Sequence, residues 1–342
     1  MDEVRRRWVL IPLMAGMAAS VRAVATNEAK RMFKWLPTEC APANYPMYLV
    51  RGALGLQGGG QVAVPDQRNV HNGWGLWGST HIVGDMVKPV PQRLEISWFS
   101  YAEDRFFQGA FALPTEAMTT YFARGIPEDR ATRKPAPFER IIVGMAPEGC
   151  VSVWMAGGAE VVEVANFQAA PADLPWTKVL DNPDITRAVF IRLNLEKRLG
   201  AEGYARLQRL GIPRGLFQSY RTLYRWQPWV TGAGKPDGVR IRSLNGENAF
   251  IGQKGAAIPR DMRPLPAEIE LYWTSPEGTP LLARIIFDEA ETEASFQKLS
   301  RGSAATQLAL HLEISSAGVG VSLRDEKFIL PQHKATVRVL KQ

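Results

Sequence analysis

Residues 91–125 read PQRLEISWFSYAEDRFFQGAFALPTEAMTTYFARG, and their pattern decides the fold. Leu94, Ile96 and Trp98 fall on one side of an extended chain, and Glu95, Ser97 and Phe99 on the other. A period of two marks a half-buried strand. The polar run from Ser100 to Arg105 reads as a turn. The return strand puts Phe107 and Phe111 on one face. Pro114 ends it, because proline has no amide to give to a ladder. Met118, Tyr121 and Phe122 then recur at helical spacing, one apolar stripe of a short helix. Gly125 stands where a left-handed cap is wanted.

Outward from this stretch, residues 266–302 repeat its plan: PAEIELYWTSPEGTPLLARIIFDEAETEASFQKLSRG. Ile269, Leu271 and Trp273 match Leu94, Ile96 and Trp98 at constant offset, and Arg301-Gly302 matches Arg124-Gly125. Asp288 with Glu291 has the form of a capping box. Each copy continues into an apolar hairpin, 141–155 in the first and 308–323 in the second. The expected fold class is α+β: two tandem similar domains, each a mainly antiparallel sheet with a packed helix, joined by a helical segment. The expected divisions are a signal peptide at 1–25, a tether at 26–44, a first domain at 45–183, a helical connector at 184–226 and a second domain at 227–342.

A chain of 342 residues is long enough for two cores. Its net charge of +7 is scattered along the chain, and no nucleic-acid-binding motif accompanies it. Arg5, Arg6 and Arg7 precede an apolar run that ends in small residues and Ala23-Val24-Ala25, the layout of a secretory signal. Export places Cys40 and Cys150 in an oxidising compartment, where either a disulfide or two buried thiols fits the sequence. Their spacing matches no metal motif, and no phosphate loop or catalytic signature is present. No catalytic residue, cofactor or metal is therefore assigned.

The loop His71-Asn72-Gly73-Trp74-Gly75-Leu76-Trp77-Gly78 sets two tryptophans among glycines. Such rings either anchor a partner or fold back over the sheet. His71 and His81 lack a third ligand or a base partner, and Glu103 and Asp104 read as surface charge in a turn. Within 184–226, Leu216, Phe217, Tyr220, Leu223 and Tyr224 form an apolar stripe, with Arg206, Arg209, Arg214, Arg221 and Arg225 opposite. A basic amphipathic helix of this kind admits peripheral contact with a membrane surface. Packing between the two copies is its expected role.

Three stretches carry a family resemblance: NGWG at 72–75, LEISWFSYAEDRFFQGAFALP at 94–114, and LGIPRGLFQSYRTLYRWQP at 210–228. With them the chain resembles a family of exported, lipoprotein-like proteins of Gram-negative bacteria, often encoded beside phospholipase effectors of type VI secretion. Met17 stands where that family usually has its lipidated cysteine. The resemblance implies a periplasmic immunity protein that binds a secreted lipase-type toxin and blocks its active site. Trp74, Trp77, Tyr101 and Arg105 are the candidate partner-binding residues. An envelope ligand-binding module and an envelope hydrolase are the alternatives.

Overall fold

The computed structural model describes residues 32–79, 84–126, 134–252, 262–303 and 305–341. The expected export signal and His81 lie outside them. Along the first half run strands β1 (Met32–Lys34), β2 (Leu36–Cys40), β3 (Met47–Leu56), β4 (Gln61–Ala63), β5 (Arg68–Val70), β6 (Val87–Pro89), β7 (Pro91–Ser100) and β8 (Arg105–Ala112), helix α1 (Thr115–Arg124), then β9 (Arg140–Met145), β10 (Cys150–Gly157), β11 (Glu160–Gln168) and β12 (Ala170–Ala172). Helices α2 (Arg187–Leu210) and α3 (Leu216–Ser219) follow. The second half holds β13 (Tyr224–Gly232), β14 (Lys235–Ser243), β15 (Asn248–Gly252), β16 (Met262–Arg263), β17 (Pro266–Thr274), β18 (Pro280–Ile286), α4 (Glu289–Ser300), β19 (Leu308–Ser315), β20 (Gly318–Arg324), β21 (Ile329–Pro331) and β22 (Thr336–Lys341).

The expected α+β class is overturned. Strands make up 48% of the described structure and helices 19%, in four sheets. The reason is local. Elements such as β4, β5, β12 and β21 are three residues long, too short for a period of two to show in sequence. The apolar stripe at 216–224 also misleads, because α3 is a single turn and Tyr224 already opens β13.

Two units share one strand order. In the first, β12-β8-β7-β3-β4 form one sheet, and β2-β9-β10-β11 lie side by side across the core. In the second, β22-β18-β17-β14-β15 match the former, and β13-β19-β20-β21 the latter. The same step is parallel in both, β2 with β9 and β13 with β19. Each unit closes its two sheets over one apolar core, as a sheet with one apolar face requires. Leu94, Ile96 and Trp98 point into the first core, and Ile269, Leu271 and Trp273 into the second. Met118 and Phe122 of α1, and Phe296 and Leu299 of α4, join these cores.

The repeat begins earlier than the match of 91–125 with 266–302 indicates. FKWLP at 33–37 and YRWQP at 224–228 are equivalent, and both tryptophans are fully buried. Trp35 Nε1 donates to the Pro89 carbonyl (3.2 Å) and Trp226 Nε1 to the Pro264 carbonyl (3.1 Å). Each bond satisfies an indole inside a core. Residues 32–40, expected as tether, are therefore strand, and β13 is the counterpart of β2.

The units are not beads on a helical string. β11 pairs with β15 at Val161 and Asn248, which fuses the two into one nine-stranded sheet. α2, broken at Gly200, packs Leu195, Leu199, Tyr204 and Leu207 against Phe99, Tyr101 and Phe106 of the first unit.

Candidate functional site

The four expected contact residues do not come together. Trp74 is 8% exposed and belongs to one buried cluster, whereas Tyr101, 1% exposed, belongs to another. Tyr101 donates its hydroxyl to Asn69 Oδ1 (2.7 Å), and burial pushes that hydroxyl's pKa up. Arg105 is exposed at the start of β8. Trp77 is 41% exposed, with the Arg140 guanidinium 5.1 Å from its ring centre. The neighbouring turn carboxylates are structural too. Asp104 Oδ1 accepts from Arg187 Nε (2.6 Å), and Glu103 Oε1 accepts from the Glu148 amide (3.0 Å).

Trp74 builds the joint between the units. Its ring meets Trp154 edge-on at 4.8 Å and Phe217 of α3 at 5.2 Å. Trp154 Nε1 donates across the joint to the Asn245 carbonyl (3.2 Å). Gly75 has φ +73°, and a Cβ there would sit 2.3 Å from the Gly246 carbonyl oxygen, so backbone meets backbone. Beside it Arg221 Nε donates to both Glu163 oxygens (3.0 and 3.1 Å), and Nη1 donates to the Phe217 carbonyl (2.9 Å). Arg221 Nη2 also donates to Ser152 Oγ. Glu247 Oε1 accepts the Glu163 amide (3.1 Å), and burial pushes the Glu247 carboxyl up.

Both cysteines are free and buried in this joint, and burial pushes both thiols up. Cys40 is on β2 and Cys150 on β10, with β9 between them. Strands two apart are separated by about 9–10 Å. Bridged cysteines need Cα atoms within about 7 Å, so this fold does not join them.

The outer face of β2-β9-β10 carries Cys40, Ile142, Ser152 and Trp154, and the Trp74 loop and α3 bury it. The matching face of β13-β19-β20 carries Trp229, His311, Ser322 and Arg324, of which Trp229 is exposed, Ser322 and Arg324 are half-buried and His311 is buried. Trp229 is 42% exposed and Phe328, on the turn after β20, is 52% exposed. Between them lies a groove of about 470 Å³, bordered also by Asp325, Lys327 and Ile329. His311 lies against the Trp229 ring at 4.5 Å and hydrogen-bonds Thr231 Oγ1 through Nε2 (2.7 Å). The Arg324 guanidinium sits 4.9 Å from the same ring.

The other outer face of the second unit is open but electrostatically closed. Glu268 accepts from Arg242 (2.7 Å) and Arg284 (2.6 Å), and Arg240 pairs with Glu270 (2.6 Å). Burial raises the Glu268 pKa, but the two guanidiniums outweigh it and hold the carboxyl below its usual value. In the first unit α2 covers the same face over Phe99 and Phe106.

A family model described as a protein of unknown function (DUF2931) matches residues 22–215, more than half of the chain. The chain belongs to the DUF2931 family. No curated protein and no solved structure matches it. The DUF2931 match spans the first unit and α2, whereas the open aromatic face lies in the second unit. No described helix is long and apolar enough to cross a membrane. Among the described residues, no group of His, Cys, Asp and Glu is arranged to hold a metal.

Sequence reasoning missed Trp229 in this DUF2931 chain because its strand reads RWQPWV, without glycines or an obvious loop. The signal was available in the repeat. Aligning RWQP with KWLP puts Trp229 opposite Thr38, a buried position. A tryptophan at a position that the other copy covers is the residue to notice.

Proposed function

We propose that the chain is a non-catalytic binding protein of the bacterial envelope and that it docks a protein partner on the open aromatic face of its second unit. Trp229, uncovered where the first unit is covered, carries this reading. Exposed aromatic residues beside arginine are the typical energetic centres of protein interfaces. The sequence resemblance adds the partner class, a secreted lipase-type toxin whose active site the immunity protein blocks. Two sandwiches that share one sheet present such a face preformed, and preorganisation lowers the cost of binding.

The test is co-expression of the full chain with the lipase-type neighbours encoded beside it. The reading expects one neighbour to co-purify in fixed ratio and to lose its hydrolytic activity. A well-folded chain that leaves every neighbour unbound and active would overturn it. The groove of about 470 Å³ beside Trp229 supports a second reading, an envelope module for a small ligand. That reading expects binding in the absence of any protein partner.

A further inference from the structure

We infer that the groove beside Trp229 receives an acidic, aromatic-bearing loop of its protein partner, with Arg324 as the recognising cation. The inference rests on the binding function proposed above and names what the face selects.

The equivalent face of the first unit is occupied. There the occupant is a loop of this same chain, Gly73-Trp74-Gly75, whose indole lies against Trp154. Flanking glycines let the backbone approach the sheet closely while the ring covers it. Trp229, lying against the buried His311 ring, offers a comparable aromatic floor and is itself 42% exposed.

Asp325 borders the groove, but its Oδ1 accepts the amides of Lys327 (2.8 Å) and Phe328 (2.6 Å), and its Oδ2 faces Arg301 (3.5 Å). Its charge is committed to holding the turn. Arg324 lines the groove, is half-buried and has no carboxylate partner among the described residues. Lys327 stands on the same rim, beside Glu326 and Asp325. An incoming carboxylate would meet the Arg324 guanidinium in a charge-assisted pair. The salt-bridged face of β14-β17-β18 leaves no such demand, because Glu268 and Glu270 already meet the arginines there.

The probes are two labelled peptides, Gly-Asp-Trp-Asp-Gly and Gly-Lys-Trp-Lys-Gly, titrated by fluorescence anisotropy against the full chain. The acidic peptide is expected to bind saturably, and the lysine peptide at least about tenfold more weakly. Arg324→Gln and Trp229→Ala should each weaken the acidic peptide by about tenfold or more, while Trp77→Ala changes nothing. Circular dichroism melts establish that each variant is folded. No saturable binding, equal binding of the two peptides, or indifference to Arg324→Gln in a folded sample would overturn the inference. The two proposals fail separately. A toxin held with unchanged affinity by Arg324→Gln sinks this inference and leaves the binding function standing. An acidic peptide bound while no neighbour is bound does the opposite.

Discussion

At the scale of single residues, the two tryptophans of the 71–78 loop have opposite roles. Trp74→Ala empties the joint between Trp154 and Phe217 and should cost about 3–5 kcal/mol of stability. Trp77→Ala removes one exposed cation–π contact and should cost no more than about 1 kcal/mol. Urea unfolding followed by circular dichroism separates them, and equal effects would refute the assignment. The thiols give a second residue-scale expectation. Cys40 and Cys150 should resist a thiol reagent in the native protein and both react after unfolding, and reductant should leave the melting temperature unchanged. A disulfide recovered by mass spectrometry from native protein would contradict this. Burial was the part of the candidate site that the sequence withheld. A tryptophan between glycines looks the same whether it faces solvent or Trp154, because that partner lies far away in the chain.

At the scale of elements, the charged ladder and the joint loops carry the predictions. Glu268 has a folded pKa below its ordinary value. Its contribution is therefore present above the unfolded carboxylate range and is lost as pH falls through the lower folded value. Glu268→Gln should cost about 1–3 kcal/mol near neutral pH and much less in strong acid. Urea midpoints at the two pH values test the sign, and a cost that grows toward acid would contradict it. In the joint, Gly75→Ala must push its Cβ into the Gly246 backbone and should cost more than about 2 kcal/mol. Gly278→Ala, also at positive φ but facing open space, should cost only about 1 kcal/mol. The main strands were legible for a physical reason: β7 and β17 are long and have one apolar face, so their alternation survives in sequence. β12 and β21 are too short to alternate. β2 lay in a stretch whose prolines suggested a tether, although Pro37 fits beside Ile141 in a parallel edge pairing.

At the scale of the whole molecule, two similar sandwiches share a sheet but treat their outer faces differently. The first unit is covered on both sides, by α2 and by the Trp74 loop with α3. The second is salt-bridged on one side and aromatic on the other. The repeat singles out Trp229 against Thr38, but the cover over the matching face could not be read from sequence, because it is decided by where distant segments pack. Arg221, on the segment that leads into the second unit, ties that segment to Glu163 of the first and is the charged contact of the joint most open to test. Arg221→Ala leaves Glu163 buried without its partner, at a cost of about 3–5 kcal/mol, and should split a single thermal transition into two. One unchanged transition would show that the shared sheet alone holds the units together.

The proposed partner sits on the aromatic face of the second unit. Hydrogen–deuterium exchange of the full chain, alone and with a toxin-like neighbour that co-purifies with it, locates the contact. Exchange is expected to slow on binding in the turn that carries Asp325, Lys327 and Phe328, with the 71–78 loop and the turn at 101–105 unchanged. Protection confined to those two first-unit segments, with the Asp325 turn exchanging as before, would contradict it.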